Sequence, residues 1–163
     1  MQDQVSPHAP GPNRLDNSAS SYLRSARHQP VQWHSWGDEA FARAKAEDKP
    51  ILLDIGAVWC HWCHVMDEVT YQDPKVIELI RSHYVPVRVD ADSRPYLANQ
   101  YEDYGWPATI VFGADKGEIV KRRGYLPPRQ MASMLQAIIN DPTPGPSVLP
   151  EAELKSHSQR HRA

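Results

Sequence analysis

The chain carries 163 residues with a formal charge of −2, 40% hydrophobic and 23% charged, the size and make-up of one globular domain with flanking ends. A mean hydropathy of −0.61 with no long apolar stretch argues against a transmembrane helix, and a pI near 6.4 leaves no basic field to draw nucleic acid. Two cysteines, Cys60 and Cys63, are too few for a disulfide framework and stand as chemistry instead.

Pro7, Pro10 and Pro12 precede the patterned region, and Pro142, Pro144, Pro146 and Pro150 follow it. The expected organisation is therefore a flexible segment over 1–12, a domain over 13–140 and a flexible tail over 141–163. The tail after Pro150 has Leu154 as its one large apolar residue, too little to offset the entropy of ordering. Met1-Gln2-Asp3-Gln4 lacks the basic and apolar regions of a signal peptide, so a cytoplasmic location is expected unless a leader was removed before residue 1.

Val31-Gln32-Trp33 is a candidate strand at the front of the domain. Asp38 to Ala46 is rich in helix formers, with acids first and bases later as the helix dipole prefers. Pro50 cannot continue that helix, and Ile51-Leu52-Leu53-Asp54-Ile55 then reads as a buried strand ending at Gly56. Val65 to Val69 and Pro74 to Arg81 have helical composition, the second with Pro at its first position and an apolar face of Val76, Ile77, Leu79 and Ile80.

Tyr84 to Asp90 alternates as a strand, with Pro86 pointing to an early or edge position. Thr109-Ile110-Val111-Phe112 and Glu118-Ile119-Val120-Lys121 flank a Gly113 to Gly117 turn and predict a hairpin. Pro128 to Asn140, with Met131, Met134, Leu135, Ile138 and Ile139 at helical spacing, predicts a closing helix. The order gives an α/β fold, a central mixed sheet of four to five strands flanked by helices.

Trp59-Cys60-His61-Trp62-Cys63-His64 sits between the end of a buried strand and the start of a helix. Free N–H groups and partial positive charge at a helix N-terminus stabilise a thiolate, lowering a cysteine pKa from about 8.5 toward roughly 3.5–7.5. Cys60 is thus the candidate nucleophile, and Cys63, one turn on and more buried, the resolving thiol. A protonated His61 beside Cys60 adds charge in the same direction. Asp54, an acid inside an apolar strand, is expected to be buried with a raised pKa and to exchange a proton with Cys63. No cofactor and no metal are expected at this pair.

The Ile51 to Asp54 strand, Ala57, Trp59-Cys60-x-x-Cys63 and a proline before the hairpin resemble the thioredoxin pattern. Asn13-Arg14-Leu15, Ser21-Tyr22-Leu23, His28 to Trp33, Trp36 to Ala40, Lys49-Pro50-Ile51, Cys60 to Met66, Val89-Asp90, Arg94-Pro95 and Gly105-Trp106-Pro107 are more specific. Together they resemble the N-terminal domain of the spermatogenesis-associated thioredoxin-like family. The resemblance implies a thioredoxin-like fold and thiol-disulfide exchange, with Asp54 as the buried acid and Pro107 as the cis-proline. It also implies that Trp106 contacts substrate and that Trp59 and Trp62 frame the same surface.

Members of that family continue into a large helical, glycosidase-like domain, for which 163 residues leave no length. The roles of that domain do not transfer. The partners expected are protein or small-molecule thiols and disulfides with a redox donor, and the expected state is a monomer. Two other classes stay open: a non-catalytic redox-sensing or binding module, and a zinc module in which His28, His34 or His83 completes a shell begun by Cys60 and Cys63. Trp33 and Trp36 are expected to pack under the Asp38 helix, and His28 and His34 to be surface or capping residues. Tyr96, Tyr101 and Tyr104 are expected to seal the sheet edge with Leu97 and Trp106.

Overall fold

Asp73 accepts hydrogen bonds from the backbone N–H groups of Lys75 and Val76, both at 3.1 Å, and Pro74 fills the first helical position, where no donor is needed. Local signals of this kind set the order of elements in the computed structural model, which describes residues 12–100 and 106–143. A 3-10 turn (Arg14–Asn17) leads to α1 (Ser21–Arg24), α2 (Asp38–Glu47), β1 (Ile51–Gly56) and α3 (His61–Glu68). A second 3-10 turn (Thr70–Gln72) precedes α4 (Pro74–His83), β2 (Val85–Asp90), α5 (Pro95–Gln100), β3 (Ala108–Phe112), β4 (Glu118–Arg123) and α6 (Pro128–Asn140).

The four strands form one mixed sheet in the order β2-β1-β3-β4, with β1 parallel to β2 and antiparallel to β3. Gly113 N–H donates to the Gly117 carbonyl at 2.7 Å and Asp115 Oδ1 accepts from Gly117 N–H at 2.9 Å, closing the β3–β4 hairpin. Pro86 sits on the outer strand β2, where its missing donor costs no ladder bond.

Every residue of β1, β2 and β3 is buried, because both faces of the sheet are covered. Ile51, Leu53 and Ile55, with Val85, Val87, Val89 and Ile110, pack on Ala40 and Ala44 of α2 and on Leu97 and Ala98 of α5. Leu52, Val111 and Val120 face the other way, into α4, α6 and the Leu15, Tyr22, Leu23 and Trp33 side chains of the N-terminal segment. Strand alternation therefore puts Asp54, its β2 neighbour Arg88 and its β3 neighbour Thr109 in one polar row on this second face.

Val31-Gln32-Trp33 does not form a strand. Trp33 is fully buried, with its indole N–H on Gln29 Oε1 at 2.8 Å, and only His34 pairs with the sheet, in an isolated parallel bridge to Val87. The short helices α1 and α5 have no counterpart in the sequence reading, since one turn or little more is too short to show periodicity. The flanks 1–11 and 144–163, together with Tyr101, Tyr104 and Gly105, lie outside the described residues. No helix among the described residues is long and apolar enough to cross a membrane.

Candidate active site

β1 ends at Gly56, the chain turns through Cys60 N–H to the Ala57 carbonyl at 3.1 Å, and α3 begins at His61. Cys60 is the N-cap of α3, with extended backbone and its sulfur accepting from Cys63 N–H at 3.2 Å. Cys60 and Cys63 are joined as a disulfide across a Cα–Cα distance of 5.3 Å. Both are buried, Cys63 more completely, at 2% exposure against 7% for Cys60.

Around this pair the surface is aromatic. Trp59 and Trp62 are 62% and 50% exposed, unusual for side chains of that apolar area. Trp59 N–H donates to the Asp92 carboxylate at 3.1 Å, and Trp62 stacks on Tyr125 with ring centroids 5.4 Å apart. His61 is exposed and meets Trp62 edge-on at 4.9 Å. The Trp106–Pro107 peptide bond is cis. Pro107 is buried at the start of β3, and Trp106 packs against the apolar cluster that contains both cysteines.

Beneath the pair lies a buried polar network. Asp54 accepts from the Tyr71 hydroxyl at 2.7 Å, while its Oδ1 has no hydrogen-bond partner among the described residues. Burial pushes the Asp54 carboxyl above its usual range, against the lowering pull of Arg88 and the Tyr71 hydrogen bond. Arg88 donates through both terminal nitrogens to Asp67, at 3.1 and 2.6 Å, and its guanidinium lies 4.5 Å from the Trp33 ring and 5.7 Å from the Tyr22 and Tyr71 rings. Burial works against the Arg88 charge, but Asp67, with Tyr22 and Asp54 behind it, holds it firmly protonated.

Arg88, Asp67, Tyr71 and Tyr22 are absent from the sequence-derived site. A signal existed for one of them: Asp67 lies one helical turn after Cys63 on the same face, whereas Arg88 occupies an ordinary polar position of an alternating strand. Nothing local marks Tyr22 or Tyr71, whose roles depend on the tertiary fold.

Several side chains fall elsewhere than their sequence context suggests. Trp36 packs edge-on against Phe41 of α2 at 5.0 Å, but Trp33 lies on the opposite face of the sheet, edge-on to Tyr71 at 4.9 Å. His34 is buried instead of on the surface; burial and the nearby Arg14 charge lower its pKa, and its Nδ1 lies 3.2 Å from the Pro86 carbonyl at the β2 edge. Tyr96 is 79% exposed and seals nothing, because α5 turns Leu97 and Ala98 toward the sheet in its place.

A mixed sheet covered on both faces, with a CxxC disulfide at a helix N-terminus and a proline at the start of the neighbouring strand, defines a thioredoxin-like protein. The chain belongs to the family described as "Protein of unknown function, DUF255" (Thioredox_DsbH), whose model matches residues 12–141. It is 41% identical over 106 residues to spermatogenesis-associated protein 20 of Rattus norvegicus, covering 60% of this chain and 13% of the rat protein. It is 31% identical over 90 residues to thioredoxin Y2, chloroplastic, of Arabidopsis thaliana, covering 55% of this chain and 51% of that protein. Among solved structures, a thioredoxin from Thermus thermophilus superposes with a TM-score of 0.60 at 23% identity, over 68% of this chain and 88% of that one.

Proposed function

We propose that this domain is a thiol-disulfide oxidoreductase that exchanges disulfides with protein substrates through Cys60 and Cys63. The observation that carries the reading is the position of the pair: Cys60 caps α3, so its sulfur sits where backbone N–H groups and the helix dipole favour a thiolate. The likeness to a thioredoxin supports the same class of chemistry.

In the reducing direction, the Cys60 thiolate attacks one sulfur of a substrate disulfide. A mixed disulfide forms and the other substrate sulfur leaves as a thiolate that takes a proton from water. Cys63 then gives its proton toward the Asp54 carboxylate and attacks the Cys60 sulfur. The Cys60–Cys63 bond closes, the second substrate thiolate departs, and two electrons have passed to the substrate. A dithiol donor returns the pair to its reduced form by the reverse sequence. Trp59, Trp62 and Trp106 offer apolar area for an unfolded or extended segment beside the sulfurs.

Reduction of insulin disulfides in the presence of dithiothreitol tests the reading. The intact chain should accelerate precipitation well above dithiothreitol alone, and Cys60→Ser should abolish that gain. A rate for the intact chain equal to the buffer rate sinks the proposal and favours a binding or sensing module.

A further inference from the structure

Gly56 is where three elements converge. A Cβ built on it would lie 2.5 Å from the Tyr22 hydroxyl oxygen and 2.9 Å from the Cys63 sulfur, so both atoms press against the same side of the bare backbone. Tyr22 is held there by its own segment. Ser20 caps α1 by accepting from Leu23 N–H at 3.1 Å and donates to Asp90 Oδ2 at the end of β2 at 2.6 Å. Asn13 ties the same segment together through the Ala26 and Val31 carbonyls, at 3.1 and 3.3 Å.

The Tyr22 hydroxyl accepts from Arg88 Nη1 at 3.4 Å. A phenol that accepts from a cation keeps its own proton free to donate, and the charge behind it strengthens that donation. The charged groups around this hydroxyl are Arg88 and Asp90 from β2, Asp54 from β1 and Asp67 from α3, with the His64 ring edge-on at 6.4 Å from the Tyr22 ring. Burial keeps the hydroxyl protonated far above neutral pH, so it is a donor under all working conditions.

We propose that Tyr22 is a positioning residue for the resolving cysteine: backed by Arg88, its hydroxyl donates a hydrogen bond to the Cys63 sulfur whenever the disulfide is open. The inference rests on the thiol-disulfide reading and assigns a chemical part to the N-terminal segment before α2. When an incoming thiolate attacks Cys60, the Cys60–Cys63 bond breaks and its electron pair leaves on Cys63. Tyr22 stabilises that leaving thiolate, and the incoming sulfur ends bonded to Cys60. In the reverse step Cys63 gives up the hydrogen bond as it attacks.

Tyr22→Phe tests this, since it keeps the ring against Arg88 and removes only the hydroxyl. The intact chain must first reduce insulin; failure there overturns the thiol-disulfide reading, not this one. Given that activity, the disulfide of Tyr22→Phe, equilibrated with dithiothreitol redox buffers, should be about fivefold harder to reduce, a change of about −20 mV for a two-electron couple. In a Cys60→Ser background, Tyr22→Phe should also raise the pH at which Cys63 becomes alkylatable. Tyr84→Phe, which removes a buried hydroxyl from the Leu135 carbonyl far from the pair, should leave both readouts unchanged.

A shift below threefold for Tyr22→Phe, or one in the opposite direction, overturns the inference. Should Tyr22→Phe fail to fold, the intact reduced protein decides: the Tyr22 Cζ resonance should move as Cys63 ionises, and a resonance that stays still overturns it.

Discussion

Arg88 and Asp67 form a two-pronged ion pair, 3.1 and 2.6 Å, with the Arg88 side chain wholly buried. The contact ties β2 to α3, the helix that carries Cys63, so Cys63 is held relative to the sheet by a charge pair as well as by apolar packing. Removing one member strands the other charge, whereas replacing both with apolar groups removes the desolvation cost as well. Asp67→Ala should therefore cost about 3–5 kcal/mol, and the double variant Arg88→Met with Asp67→Leu should recover most of that loss. Urea unfolding of the three proteins checks it. Equal destabilisation of single and double variants would show that lost packing, not the stranded cation, sets the cost.

Asp54→Asn should stabilise the oxidised protein at neutral pH. The Asp54 carboxyl is raised by burial, which outweighs Arg88 and Tyr71. The sign follows from linkage: the unfolded acid ionises first as pH rises, so between its unfolded and folded pKa values the native state binds more protons and stability falls with pH. Asparagine escapes that fall while its carbonyl can still accept from Tyr71. The gain should grow as pH rises toward 8 and shrink toward zero near pH 4. Urea midpoints across that range test it, and a gain independent of pH would mean that the native Asp54 carboxyl is not raised above its unfolded value.

The scaffold was legible wherever a periodic run ended on a strong local stop. α6 matches its expected span from Pro128 to Asn140, and β1 runs from Ile51 through Gly56 as the run before Cys60 implies. The visible half of the candidate site, from Trp59 to Cys63, is contiguous in sequence and was readable for that reason. Of its buried half only Asp54 was, as an acid inside an apolar strand; Arg88, Asp67, Tyr71 and Tyr22 come from four separate elements, and only the β1–β2 register and the folding back of the N-terminal segment bring them together. Trp33 shows the same limit, since a tryptophan before a helix carries no mark of which sheet face will take it.

Gly56→Ala should destabilise the fold even though its backbone is an ordinary strand, because the added methyl meets Tyr22 at 2.5 Å and Cys63 at 2.9 Å. Overpacking of this kind costs about 1–3 kcal/mol. Tyr22→Phe removes the nearer of the two atoms, so in a Gly56→Ala and Tyr22→Phe cycle the double variant should lose less than the sum of the singles. Contacting residues are where such non-additivity is expected. Strict additivity in urea unfolding would mean that Tyr22 does not press on Gly56 in solution.

Trp62→Ala separates docking from chemistry. Trp62 is half exposed and stacks on Tyr125, so the fold loses little on truncation, within about 0.5 kcal/mol for a surface side chain. A protein substrate that lays an apolar segment across Trp62 loses a contact of about 1–2 kcal/mol, equivalent to roughly a five- to thirtyfold fall in kcat/KM carried mainly by KM. A small aromatic disulfide that reaches Cys60 without covering Trp62 should be reduced at nearly the rate of the intact chain. Comparing insulin with such a reagent tests the split. An equal fall with both substrates would move Trp62 from the docking surface into the redox centre, where its ring would act by shaping the Cys60 environment and not by holding the substrate.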